Sequence, residues 1–440
     1  MLHGLRWRGL DPLTITTAWL TVFSFPATAL ASDAVLPDSL PRDSTLSLAW
    51  VERTALERNP SLSAMREAWH AARARADQAG ALEDPMLDAM VAPQSLGSAS
   101  VDPAYRVGIS QSYPLFGQRG LRRRAAAAEG DVAASDLVTA RLDLLRDVRD
   151  AYYDYYRVSR GQETNRELVE LMRQFRRVAL AKYSAGTVGQ PDPLQAEAEL
   201  AMLEHQGVVL GEQRRVAVAR LNTLLHLSQR TALPEPPREL PLPEAPDTRQ
   251  WLEARMKANW PELEAADARV GARRAELALA RRERLPEGAF GLAYDRFWSE
   301  PELRGTVGLS LNLPLNLGRL AAHERETRAA LNMAEAERLA MRDRIEQRIE
   351  EASAALGEGL HDVEIMRDRV VPASERTVKA VRAAYEANRS DFLTLLNAAR
   401  DLARTRLELY EALATAHQAQ ADLQRALASD AVSPGQENPR

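Results

Sequence analysis

Val107-Gly108-Ile109-Ser110, followed by Pro114-Leu115 and Arg119, returns as Val307-Gly308-Leu309-Ser310, followed by Pro314-Leu315 and Arg319, at a constant offset of 200 residues. Self-similarity at a fixed spacing marks a duplicated plan. Upstream, Asn59-Pro60-Ser61-Leu62 has a counterpart in Asn259-Trp260-Pro261-Glu262-Leu263, and downstream Ala181-Lys182-Tyr183 has one in Ala384-Tyr385. Leu233-Pro234-Glu235-Pro236-Pro237, continuing through Pro241, Pro243 and Pro246, separates the copies. So dense a run of prolines cannot be helix interior.

The repeated stretch reads as strand. From Val307 to Leu313 every odd position is apolar and every even one small or polar, the period of a half-buried strand. Tyr105, Val107 and Ile109 alternate with Arg106, Gly108 and Ser110, and Phe290, Leu292 and Tyr294 with small residues and Asp295. Met86 to Val91 is the weakest candidate, with Asp88 its clearest inward residue. Pro93 to Pro103 and Trp298 to Leu303 read as the connecting loops, and Pro114 and Pro314 as strand ends. Around each strand pair the periodicity is helical. Helices are predicted over about Leu46–Leu82 and Thr248–Arg284, with Asn59-Pro60 and Asn259-Trp260-Pro261 as internal restarts. Very long helices follow over about Gly117–Ala185 and Gly318–Ala387, and returning helices over about Asp192–Leu227 and Asp391–Ala428. A helix of about 68 residues spans roughly 100 Å. Ile345, Ile349, Ala352, Leu356, Leu360 and Val363 step by three or four along it, so it needs neighbours to cover the stripe.

Composition agrees with a folded, helix-rich chain. Apolar residues make up 45%, charged residues 27% and aromatic residues only 5% of 440 residues, and the net charge of −5 offers nothing to nucleic acid. There is no cysteine, which excludes disulfides, thiolate metal sites and a cysteine nucleophile. Arg6 and Arg8, the apolar stretch Leu13 to Phe25 and Ala29-Leu30-Ala31 read as a signal peptide over 1–31, cleaved after Ala31. No later segment is apolar enough for a membrane helix, so a membrane form must be a β-barrel. The expected layout is a first repeat over 32–232, a linker over 233–247, a second repeat over 248–428 and a disordered tail over 429–440.

In this duplicated frame, Gln111-Ser112-Tyr113-Pro114-Leu115-Phe116-Gly117-Gln118-Arg119 after a strand and Lys182-Tyr183-Ser184-Ala185-Gly186-Thr187 at a helix end resemble the TolC-like outer-membrane efflux channel family. The resemblance covers nearly all of the mature chain. It implies a mainly α fold with a small β part: duplicated long-helix hairpins plus four strands per chain, contributed to a trimeric outer-membrane β-barrel. It implies a passive export duct across the outer membrane and periplasm, working with a periplasmic adaptor and an inner-membrane pump of the resistance-nodulation-division type. Tyr113 to Arg119 looks closest to the heavy-metal efflux branch, which makes metal ions or small toxic compounds the expected cargo. Tyr105, Val107, Ile109, Val307, Leu309, Leu311 and Leu313 would face outer-membrane lipid. The turns with Tyr183, Gly186, Thr187 and Val188, and with Tyr385, Asn388 and Ser390, would form the periplasmic tip and meet the adaptor. Asp192 matches the family's acidic aperture position, with Gln195, Arg389, Asp391 and Thr394 around the same opening. Asn388 stands where the first copy has Gly186, and asparagine also tolerates a left-handed backbone.

Each of these residues has a plainer reading. Asp192-Pro193-Leu194-Gln195 reads as a helix cap, a first-turn proline and a capping-box glutamine. Beyond that cap, Asp192 is expected to form a three-fold acidic ring. Arg389 beside Asp391 is either a gate latch between chains or a solvated turn. Arg122, Arg123 and Arg124, with Arg281, Arg282 and Arg284, are either a phospholipid-headgroup site or solvated helix surface. Tyr152, Tyr153, Tyr155 and Tyr156 read as helix packing. The seven histidines are scattered, so neither a metal site nor any cofactor is expected. The competing function is a periplasmic coiled-coil adaptor or scaffold, which would have no need of outward apolar strands; no constellation supports an enzyme.

Overall fold

The computed structural model describes residues 45–95, 102–243, 260–298 and 300–429. The signal peptide, residues 96–101 of the first loop, 244–247 of the linker, 248–259 of the expected second-copy helix and 430–440 of the tail lie outside the described residues. The first copy runs α1 (Leu48–Arg58), α2 (Pro60–Gly80), β1 (Met86–Val91), β2 (Tyr105–Tyr113), α3 (Gln118–Ser184) and α4 (Pro191–Leu224). The second runs α5 (Pro261–Arg282), β3 (Glu287–Asp295), β4 (Gly305–Asn312), α6 (Leu317–Ile365), α7 (Val371–Glu386) and α8 (Phe392–Ala426).

The helix starts follow from local chemistry. Asn59 accepts from the amides of Ser61 (2.9 Å) and Leu62 (3.3 Å), with Pro60 in the first turn of α2. In the second copy Trp260 holds the equivalent place with no side-chain cap; its indole nitrogen instead donates to the Ala426 carbonyl at 2.9 Å, tying the start of α5 to the end of α8. α3 is one helix of 67 residues. Its counterpart is not continuous. Met366–Val370 forms a π turn between α6 and α7, just before Pro372. A proline has no N–H for the carbonyl four residues back, and the wider turn takes up the misfit.

The four strands form one antiparallel sheet in the order β1-β2-β3-β4. The long helices bundle beneath it, with α3 against α2, α4, α5 and α8, and α8 against α6 and α7. Ile345, Ile349, Ala352 and Leu356 are buried against Ala419 and Leu423, as the stripe in the sequence demands. Helices come close where side chains are small: a Cβ placed on Gly359 would lie 3.0 Å from the Ala416 Cα.

The tyrosine row of α3 is packing with a specific duty. The Tyr152 hydroxyl donates to the Leu46 carbonyl (2.9 Å) and Tyr155 to Pro234 (3.2 Å). Tyr156 donates to Arg238 (3.4 Å). The proline-rich connection is thereby strapped across the bundle, and Leu46 N–H donates to Glu235 at 2.9 Å alongside it. His417 closes the strap, stacked on Tyr153 at 4.5 Å with its Nε2 2.9 Å from the Pro241 carbonyl. Burial keeps that imidazole neutral by pushing its pKa down, and a neutral ring can donate from Nε2.

Candidate functional site: strand wall and helical tip

Register sorts the sheet into two chemically distinct faces. Leu87 pairs with Ile109, Ile109 with Leu292 and Leu292 with Val307; Phe290 pairs with Leu309 and Val107 with Tyr294. Directly paired side chains share a face. One face therefore carries Tyr105, Val107, Ile109, Val307, Leu309 and Leu311 among other large apolar groups, and Val307 is 82% exposed in the single chain. The opposite face carries Gly108, Ser110, Gly291, Ala293, Thr306, Gly308 and Ser310, with Asp88 and Arg106 3.9 Å apart, and among the described residues only Met86 and Met90 of the edge strand β1 add large apolar groups to it. A Cβ on Gly108 would stand 2.6 Å from the Asp88 carboxylate, so only glycine fits where that side chain leans. Leu313 differs from expectation: β4 ends at Asn312, ahead of Pro314, so Leu313 lies just past the last paired residue.

At the other end of the long helices the two tip turns share one backbone design. Gly186 (φ 72°) and Asn388 (φ 59°) take the left-handed position, and Thr187 N–H donates to Lys182 O (2.9 Å) as Arg389 N–H does to Ala384 O (2.8 Å). The side chains then break the symmetry. Tyr183 is exposed, whereas Tyr385 is buried against Phe392, Phe175 and Met172.

Asp192 does not cap α4. The helix begins one residue earlier at Pro191, whose ring fixes the first helical turn, and Gln190 occupies the cap position without a side-chain bond. The Asp192 carboxylate is thereby released, and it accepts from the Tyr385 hydroxyl at 3.1 Å. Burial, then the Asp192 charge and hydrogen bond, hold that hydroxyl well above its ordinary pKa, so it remains a donor. Asp391 is the side chain that does cap, accepting from Thr394 N–H at 2.7 Å; its hydrogen bonds from Thr394 depress its pKa.

Lys182 also joins the two tips. Its ammonium donates to the Tyr385 carbonyl, to Asn388 Oδ1 at 2.5 Å and to the Glu386 carbonyl at 3.3 Å. It also sits 4.6 Å from the Tyr385 ring centroid. A cation over an aromatic face and at the carbonyl end of α7 is favourable on both counts. Higher up, buried Glu199 on α4 accepts from Arg400 on α8, with Arg400 Nε at 2.9 Å. Within the single chain Arg389 is exposed and forms no ion pair among the described residues, and Asp391 is occupied as a cap, so no intrachain latch forms between them. Gln195, Thr394, Gly186 and Thr187 are also exposed, while Val188 and Ser390 are half-buried.

The arginine clusters below the sheet are largely neutralised by neighbours. Arg281 and Arg284 both bind Glu324, at 3.2 and 2.7 Å, Arg122 faces Glu287 at 3.6 Å and Arg123 faces Asp77 at 3.9 Å. Arg282 donates to the Phe116 carbonyl. That pairing favours a structural surface over a headgroup site.

A sequence model described as outer membrane efflux protein matches residues 51–225 and 253–429. The chain belongs to the outer membrane efflux protein family. Among curated relatives, the cobalt-zinc-cadmium resistance protein CzcC of Cupriavidus metallidurans is 22% identical over 325 residues, covering 71% of this chain and 74% of that protein. Among solved structures, the CusC channel superposes with a TM-score of 0.75 at 16% identity, covering 89% of this chain and 96% of CusC. The Neisseria gonorrhoeae MtrE outer membrane channel, in its open state, gives 0.74 at 19% identity, with coverages of 89% and 94%. The fold is thus that of the TolC-like outer-membrane channels, mainly helical with one four-stranded sheet. As a member of this family the chain is an outer-membrane efflux protein, which displaces the adaptor or scaffold reading. Sequence reasoning placed Lys182 in the tip motif but missed that it ties the two tips together, because its acceptors lie more than two hundred positions away. It also missed the pairing of Glu199 with Arg400, which lie 201 positions apart in the chain.

Proposed function

We propose that three copies of this chain close one β-barrel and one helical tunnel, forming a passive export duct whose periplasmic tip is shut at rest and opened when a periplasmic adaptor and an inner-membrane pump engage it. The observation that carries this reading is the two-faced sheet with free edges at β1 and β4. A lone four-stranded sheet would leave unpaired backbone in hydrocarbon, which lipid does not tolerate. Pairing β4 of one copy with β1 of the next removes every edge, and three copies give twelve strands, an even number within the range of such barrels. Apolar groups then meet outer-membrane lipid, and the small and polar face lines the lumen.

At the tip, Asp192, Gln195, Arg389, Asp391 and Thr394 line the aperture, and the turns around Tyr183 and Tyr385 receive the adaptor. The support is their shared position at one end of the hairpins and the exposure of most of them. Asp192, repeated three times, favours cations in the closed aperture. The pump is of the resistance-nodulation-division type and the cargo is metal ions or small toxic compounds. The name of the CzcC relative favours metal.

Single-channel recording of the purified trimer in a planar bilayer tests the duct. Small cation-selective steps are expected, and a well-folded protein that never conducts would refute it. Asp192→Asn should weaken cation preference; an unchanged preference removes the ring. Expression in a host lacking its own channels separates cargo classes, through tolerance to zinc, cobalt and cadmium against tolerance to organic dyes.

A further inference from the structure

The apolar face of the sheet does not stop where the sheet stops. In β4 the exposed apolar residues are Val307, Leu309 and Leu311, yet the same alternation continues through Leu313, Leu315 and Leu317, with Asn312, Pro314 and Asn316 between. The last paired residue is Asn312, and 313–316 belong to no helix or strand. Leu315 is the most exposed large apolar residue here, at 83%, and Leu317 reaches 70%. On the first-copy side Tyr113 ends β2 exposed and Phe116 projects beyond it, also exposed.

Phe116 is held in place by a built turn. Its φ is 64° and that of Gly117 is 77°, two left-handed residues in succession, which a phenylalanine adopts only under constraint. The constraint is Arg282, whose guanidinium donates to the Phe116 carbonyl, while the Gln118 amide donates back to the Arg282 carbonyl at 3.1 Å. Glycine suits position 117 because its φ of 77° is left-handed, and a Cβ there would also crowd Arg282 Nη1 at 2.7 Å. Leu115, by contrast, turns against the sheet, 3.2 Å from the Cβ position of Gly288. The turn therefore lays Leu115 on the apolar face of the sheet, beside Leu311, and leaves Phe116 exposed.

We infer that Phe116, Leu313, Leu315 and Leu317 form an apolar collar beneath the barrel, immersed in the phospholipid acyl chains of the periplasmic leaflet. The inference rests on the barrel reading above and extends its lipid surface. Length supports it. β4 has 8 residues and β1 only 6. At about 3.3 Å per residue and a tilt near 40°, these two edge strands rise about 15 to 20 Å and the nine-residue β2 and β3 about 23 Å, short of the apolar band of about 25 Å on outer-membrane barrels. The chain beyond Asn312 turns at Asn316, where Leu317 N–H donates to the Leu315 carbonyl at 3.0 Å and α6 begins; the stripe from Val307 to Leu315 at the same tilt rises about 23 Å and closes most of the difference. Water begins just below, where Glu324 is clasped by Arg281, Arg284 and Arg328.

The absence of native cysteine allows a clean test. Leu309→Cys, Phe116→Cys, Leu315→Cys and Leu180→Cys are each made in the full-length chain, labelled with an environment-sensitive fluorophore and reconstituted as trimers in phosphatidylethanolamine–phosphatidylglycerol vesicles containing brominated acyl chains. Leu315 buries little, so its replacement does not threaten folding. Probes at 309, 116 and 315 should lose most of their emission to brominated lipid and ignore aqueous iodide; the probe at 180, on the tip, should do the opposite. If 309 is quenched by lipid while 116 and 315 answer to iodide, the collar lies in water and the inference fails. If 116 and 315 answer to neither quencher and crosslink between copies, the patch is a subunit seam and the inference fails equally. If 309 itself is not quenched by lipid, the barrel reading fails with it.

Discussion

At the scale of single residues, the tip is held by a few directed contacts between the two hairpins. Lys182 supplies one ammonium to three acceptors and an aromatic face. Lys182→Met keeps the length of the side chain and removes the charge, so it should loosen the tip by about 1 to 2 kcal/mol, the value of a partly exposed charged hydrogen bond. Leak through the resting channel should rise several-fold in planar bilayers, and unchanged leak would separate Lys182 from closure. Tyr385→Phe removes only the bond to Asp192 and should raise leak less, without a pH dependence, because the hydroxyl stays protonated. His417 behaves differently. Its folded pKa lies below the ordinary 6.5, so the unfolded chain takes up the proton more readily. The stability it contributes is whole above that value and is lost as pH falls below it. Melting temperature should therefore drop on acidification from neutral pH toward 5, and His417→Gln should flatten that part of the curve. A slope that survives the substitution would place the sensitivity elsewhere.

Among the elements, the duplicated arms differ in one instructive way. The copies are offset by 200 residues at Arg119 and Arg319 but by 202 at Tyr183 and Tyr385. α3 crosses this distance as a single helix of 67 residues; the second arm needs segments of 49, 5 and 16. A π turn absorbs one of these two surplus residues, and it shelters Pro372 from the carbonyl its ring would strike. Deleting exposed Asp368 should return the arm to plain α geometry and force that clash, costing about 3 kcal/mol. The same deletion combined with Pro372→Ala should recover most of the loss. Thermal unfolding followed by circular dichroism reads both, and purely additive effects would discard the account. The strands and helix ends were legible in the sequence because their causes are local: alternation, a capping asparagine, prolines at the breaks. The split of the second arm rests on Pro372, a single residue inside otherwise strong helical periodicity, and the periodicity masked it. Asp192 was misjudged for the opposite reason. The adjacent prolines at 191 and 193 both suit a helix start, and only the hydroxyl of Tyr385, a partner from the other copy, shows what the released carboxylate does.

For the whole molecule, everything turns on which face of the sheet looks outward, and a single step along the chain decides it. Leu309 pairs with Phe290 on the apolar face, and Ser310 pairs with Ala289 on the small face. Both are exposed in one chain, so neither is distinguished by burial, only by register. In a closed trimer they part company: one enters hydrocarbon and the other a water-filled lumen. A lysine on the lipid face of an outer-membrane barrel costs about 2 to 4 kcal/mol at mid-depth, and a lysine in the lumen costs little. Three copies multiply the first penalty and repeat the second change as a ring of three added charges. Leu309→Lys should then fail to assemble, reducing the detergent-resistant trimer in outer-membrane fractions. Ser310→Lys should assemble normally and conduct, with cation preference lowered or reversed. Were both variants to assemble and conduct alike, the two faces would be interchangeable and the chain would not form the wall of a lipid-bounded barrel.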